Sequence, residues 1–62
     1  MKKYIIRDGY IGVFQYIDRL GFPNYRFPGG ISTASDDEIE KGFYTRQEAL
    51  AAIQEKAKVA ET

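Results

Sequence analysis

The chain reads as a small α+β domain, an antiparallel β-meander of three to four strands with one C-terminal α-helix packed on one face. Two observations carry that reading. Asp8-Gly9 stands between two β-prone runs, Tyr4-Ile5-Ile6-Arg7 and Tyr10-Ile11-Gly12-Val13-Phe14. From Arg46 onward no Gly or Pro interrupts the sequence, and apolar residues recur at helical spacing. A length of 62 residues accommodates one domain, residues 1–62, and no more.

Asp-Gly between strands favours a two-residue type I′ turn, because both positions need positive φ. The turn sets Arg7 opposite Tyr10, Ile6 opposite Ile11, Ile5 opposite Gly12 and Tyr4 opposite Val13 in a hairpin spanning about residues 2–17. Strict alternation then divides the side chains between two faces. Tyr4, Ile6, Ile11, Val13 and Ile17 form an aliphatic face. Lys3, Ile5, Arg7, Tyr10, Phe14 and Tyr16 form an aromatic and basic one.

Leu20-Gly21-Phe22-Pro23-Asn24 has the composition of a turn, and Tyr25-Arg26-Phe27 alternates as a third strand over about 25–27, closed by Pro28-Gly29-Gly30. Residues 31–41 read equally as a solvated loop or as one helical turn at Asp36–Glu40, since Ser35 and Glu38 have capping-box spacing. Gly42-Phe43-Tyr44 is expected to be a short strand over 42–44. Thr45 then serves as N-cap, with Glu48 three residues on, for a helix over about 46–60. Its stripe of Ala49, Leu50, Ile53, Ala57 and Ala60 is narrow enough to lie close to a sheet, with Leu50 and Ile53 on the aliphatic face. Lys56 and Lys58 suit the negative end of the helix dipole, and Val59 to Thr62 are expected to fray.

Composition closes off several functions. The chain contains no Cys and no His, which removes thiolate and imidazole ligands and with them structural zinc, iron–sulfur and haem sites. Ser32, Thr33, Ser35 and Thr45 offer hydroxyls with no imidazole to activate them, so the chain reads as no enzyme and as needing no cofactor or metal. The acidic run Asp36, Asp37, Glu38 and Glu40 lacks EF-hand spacing and reads as a solvated segment. Gly29-Gly30 lacks the residues that turn a glycine pair into a phosphate cradle.

The apolar run after Lys2-Lys3 is too short for a signal peptide, and no stretch has the length of a membrane span. A cytoplasmic protein is expected. The formal net charge is zero, but it is unevenly spread: residues 1–30 hold five bases and two acids, +3, and residues 31–62 four bases and seven acids, −3. Nucleic-acid binders draw affinity from neutralising phosphates, so this balance disfavours nucleic acid as the partner.

If the helix covers the aliphatic face, the aromatic face is left for a partner. Tyr and Arg supply large contact area with little entropy to lose, as binding hot spots do. The expected partner surface is Tyr10, Phe14, Tyr16, Arg19, Tyr25 and Arg26, with Phe22, Phe27 and Phe43 assigned to the core. The same face could stack nucleic-acid bases, or pair with a second copy as a homodimer.

Gly42-Phe43-Tyr44-Thr45-Arg46-Gln47-Glu48-Ala49 resembles the G-F-x-T-x-x-x-A junction of three-stranded-sheet-plus-helix modules, including the arm-site DNA-binding domains of tyrosine recombinases. The resemblance covers about an eighth of the chain and implies the strand-to-helix architecture. It does not extend to the basic DNA-facing strands of that family, where this hairpin holds Ile and aromatic residues. In size and balanced charge the chain is also similar to small accessory proteins of phages and mobile elements. The function expected is a non-enzymatic protein-binding module, an inhibitor or adaptor of a host protein.

Overall fold

A computed structural model describes residues 1–60, with side chains described through Lys56. Four strands, β1 (Tyr4–Arg7), β2 (Tyr10–Ile17), β3 (Pro23–Phe27) and β4 (Gly30–Thr33), form one antiparallel sheet in sequential order. Two helices follow, α1 (Asp36–Glu40) and α2 (Arg46–Ala60). The meander and the C-terminal helix agree with the sequence reading. The stripe positions Ala57 and Ala60, the dipole position of Lys58 and the expected fraying of Val59 to Thr62 lie outside the described side chains or residues.

The first hairpin forms as its turn chemistry dictates. Asp8 and Gly9 have φ of 53° and 81°, and the four cross-strand pairs from Tyr4↔Val13 to Arg7↔Tyr10 are those the turn sets. Three elements differ from expectation. The third strand starts at Pro23. Pro28-Gly29 is a second two-residue turn that returns the chain into β4, paired from Asn24↔Thr33 to Phe27↔Gly30. Residues 42–44 contribute only a single bridge, in which Phe43 and Tyr4 exchange backbone hydrogen bonds of 2.7 and 3.0 Å.

The larger correction concerns which face is inside. Residues paired across strands share a face. Ile5 and Gly12 therefore stand with Phe27, Phe14, Tyr25 and Ser32, while Tyr4, Val13, Arg26 and Ile31 form a row across the opposite face. The core is on the first of these. Ile5 and Tyr25 are fully buried with Ala34, and Phe14, Phe27 and Ile39 pack around them. The Phe14 and Tyr25 rings meet edge to face, with centroids 5.6 Å apart, and the Tyr25 hydroxyl donates to the Lys2 carbonyl. Burial pushes the Tyr25 phenol pKa up. Val13 and Ile31, expected or well suited to be covered, face water.

The reason lies in residues 34–41. Ser35 caps α1 through the capping box: its hydroxyl accepts the Glu38 N–H, and the Glu38 carboxylate accepts the Ser35 N–H. The helical turn drops Ile39 onto Ile5 and Tyr25. Arg7 fastens it there. Its Nε and Nη2 donate to the two Glu38 oxygens at 2.8 and 2.9 Å, its Nη1 to Ser32 Oγ at 2.8 Å and its Nη2 also to the Thr33 carbonyl at 2.9 Å. The guanidinium also lies 4.6 Å from the Phe27 ring centre, a cation–π contact. Phe27 in turn lies over Gly12, where a Cβ would come within 2.4 Å of the ring.

The longer helix α2 is nucleated by Thr45, whose hydroxyl accepts the Glu48 N–H at 3.2 Å and donates to the Glu48 carboxylate at 2.9 Å. It packs on β1 through Ala49, which is fully buried. Leu50, expected against the sheet, is exposed, and Ile53 is half-buried. A cavity of about 400 Å³ remains among Ile6, Phe43, Ala52, Lys56 and the α1 residues Asp37, Glu38 and Lys41.

Two outcomes follow from this arrangement. Gly12→Ala forces the Phe27 ring out from under Arg7, and overpacking of this kind is expected to lower stability by about 1–2 kcal/mol, read from the urea midpoint. An unchanged midpoint would show that the ring is free to swing away.

The second outcome concerns acid. Arg7, through its hydrogen bonds first, holds the Glu38 carboxyl at about 2, well under its ordinary 4.5. A folded-state value below the unfolded one stabilises fully above about pH 4.5 and is lost as pH falls toward 2. Between those limits, wild-type stability is expected to fall more steeply than that of Glu38→Gln; parallel curves would contradict the pairing.

Candidate functional site

The six residues expected to form one surface are dispersed. Tyr25 is fully buried and Phe14 half-buried in the core, so neither has its ring free for a partner. Tyr10 is exposed at the turn end of the sheet, beside a groove of about 610 Å³ floored by Phe27 and bounded by Arg7 and Pro28. Tyr16 lies six residues along β2, about 20 Å away at strand rise. Arg26 is exposed on the open face with Val13 and Ile31.

Tyr16 is displaced by an irregularity that alternation does not announce. Between Phe14 and Tyr16 the register shifts: Phe14 pairs with Tyr25, but Tyr16 pairs with Asn24. Gln15 is the extra residue of a β-bulge, and the bulge moves Tyr16 to the face of Asn24 and Ile17 to that of Pro23. Tyr16 and Ile17 are each 51% exposed. They lead directly into the loop 18–22.

That loop carries the most exposed large apolar side chain among the described residues. Leu20 is 81% exposed and Phe22 51%. Phe22 was expected in the core; the β3 start at Pro23 instead leaves it on the loop. Exposed leucine and phenylalanine on a slack loop would fold back on the domain, but this loop is held by Asp18. One Asp18 oxygen accepts the N–H groups of Leu20 and Phe22, each at 3.0 Å. The other accepts Asn24 Nδ2 at 3.3 Å. The Asp18 backbone completes the closure: its N–H donates to the Phe22 carbonyl at 2.9 Å, and its carbonyl accepts the Gly21 N–H at 3.0 Å.

These bonds favour the ionised carboxylate. The Phe22 N–H is the chief cause that holds the Asp18 pKa below the ordinary value, with Asn24, Leu20 and Gly21 adding to it. Asn24 is itself buried, and its amide reaches the Phe22 carbonyl at 3.1 Å as well as Asp18. The loop is thus tied to the sheet at both ends. Arg19, one of the expected partner residues, is exposed within it.

Tyr16, Ile17, Arg19, Leu20 and Phe22 are consequently exposed together at one end of the sheet, Tyr16 and Ile17 on its opposite faces and the other three on the loop that follows. Chemically this arrangement can enter a complementary apolar pocket on another macromolecule, and it contains no nucleophile–base pair. Sequence reasoning singled out Tyr16 and Arg19 at this end and did not single out Ile17, Leu20 and Phe22, which are exposed beside them in sequence. The available signal was Asp18 itself: Asp two residues before Leu20 and three before Gly21 is the spacing of an Asx-turn.

Among the described residues no helix is long and apolar enough to cross a membrane. Compared with protein-family models, with curated proteins and with solved structures, the chain matches none.

Asp18→Ala is expected to release the loop while leaving the sheet paired. Backbone amide exchange at Leu20 and Phe22 should quicken by about tenfold or more, the loss of one hydrogen bond each, with Ile5 and Tyr25 unaffected. Equal rates in the two proteins would mean that the loop is held by something other than this carboxylate.

Proposed function

We propose that the protein is a non-enzymatic protein-binding module, an inhibitor or adaptor of the kind that phage or mobile-element accessory proteins supply, acting in the cytoplasm. Its contact surface is the end of the sheet formed by Tyr16, Ile17, Arg19, Leu20 and Phe22. The observation that carries the proposal is the exposure of Leu20 and Phe22 on a loop whose backbone is fastened to one carboxylate.

Two physical arguments support this reading. Exposing large apolar side chains gives the free domain nothing, and a contiguous group of them marks an interaction surface. Holding such side chains in one conformation before contact reduces the entropy lost on binding, which is how preorganised loops gain affinity. Arg19 adds a charged group at the rim, where it serves orientation more than affinity. A nucleic-acid partner is not favoured, because one cation at this end and one, Arg26, in the open-face row give little phosphate neutralisation.

The test uses the whole chain as bait in host lysate, beside Leu20→Ala and Phe22→Ala. Both side chains stand clear of the core, so both variants should unfold at the wild-type temperature. Each truncation of an anchor is expected to cost about 2 kcal/mol of binding, roughly 30-fold in affinity for the captured protein. Undiminished capture by the double variant would remove the loop from the interface.

A further inference from the structure

The sheet has two edges, and they are treated differently. At β1 the outward N–H and C=O of Tyr4 are taken by Phe43, and α2 packs alongside. At β4 nothing comparable is present. The Ala34 N–H donates to the Pro23 carbonyl at 3.1 Å, which fixes the phase of the ladder. With pairing of Asn24↔Thr33 and Tyr25↔Ser32, Ser32 turns its main-chain groups toward β3, and Ile31 and Thr33 turn theirs outward. The Thr33 carbonyl is occupied by Arg7 Nη2 and Ser32 Oγ. The N–H and C=O of Ile31 and the N–H of Thr33 have no partner among the described residues.

We propose that β4 pairs antiparallel with the β4 of a second copy of this chain, about a two-fold axis at Ile31. In this arrangement each Ile31 N–H donates to the Ile31 carbonyl of the other copy, and each Thr33 N–H faces the other copy's Pro28-Gly29 turn. The pattern is self-complementary: a residue on the axis offers one donor and one acceptor to its own image.

Three observations select a second copy as the occupant. Gly30, Ile31, Ser32 and Thr33 carry no charge, and the whole chain is neutral, so two copies meet without repulsion along the edge. The devices that keep edges apart, a lysine, a proline or a bulge, are absent from β4. Ile31, 52% exposed, meets its own image on the open face and is covered by it. The row Tyr4, Val13, Arg26, Ile31 then continues into its two-fold copy, which makes one sheet of eight strands. The Leu20 loop takes no part, so the dimer stands or falls independently of the partner surface proposed above.

A four-residue edge is small for an interface, so the dimer is weak, and sedimentation velocity of the full chain should be followed from roughly 10 µM to 1 mM. The expected result is a shift from monomer to dimer, with the Ile31 and Thr33 amides gaining exchange protection as concentration rises. Ile31→Lys should stay monomeric with an unchanged far-UV spectrum, and Tyr16→Ala should dimerise as wild type does. A monomer at 1 mM overturns the proposal. So does a dimer in which the Ile31 and Thr33 amides exchange at the monomer rate, because such a dimer uses another surface. If Ile31→Lys fails to fold, the amide pattern of the wild type decides alone.

Discussion

Among the described residues, the Arg7 guanidinium joins parts of the chain that no other side chain brings together. It reaches from the end of β1 to β4 through Ser32 and Thr33, to α1 through both oxygens of Glu38, and to β3 through the Phe27 ring. A planar fork with five donors is suited to this, and lysine, a point charge on a flexible stem, is not. In a chain with no disulfide and no imidazole or thiolate ligand, a partly buried charge network in which four of the five guanidinium N–H groups are hydrogen-bonded supplies specificity that the small core cannot. Glu38 shows the economy of the arrangement. One carboxylate caps a helix and receives the arginine, so the start of α1 and its docking on the sheet depend on the same side chain.

That coupling also explains how far the sequence could be read. The Asp8-Gly9 turn, the pairing it sets and the Thr45 cap were legible because each depends on residues within a few positions of one another. The identity of the inner face was not. Local alternation separates Ile5 from Ile6 but does not say which side is covered, and the answer rests on a contact between Arg7 and Glu38, 31 residues apart. The same holds for Gly12, which looks like a weak point in a strand until Phe27 is laid over it. Once α1 covers the ring-bearing face, Tyr25 and Phe14 become core, and their aromatic character serves packing.

The candidate site was half legible for a related reason. Tyr16 and Arg19 were recognisable as residue types that bind, but the bulge at Gln15 and the Asp18 closure decide where they point and what stands beside them. Bulges recur near functional positions because they re-aim a side chain without breaking the sheet. Here the bulge and the loop are adjacent in sequence. Together they turn the end of β2 from a simple strand terminus into a fixed apolar projection.

The single bridge between Tyr4 and Phe43 has a consequence out of proportion to its two hydrogen bonds. It stops the sheet at that margin, and the next outward position, Ile6, borders a space lined by residues of both helices. A protein with two receptive margins can add copies without limit and grow into a filament. One with a single receptive margin is finished after the first addition.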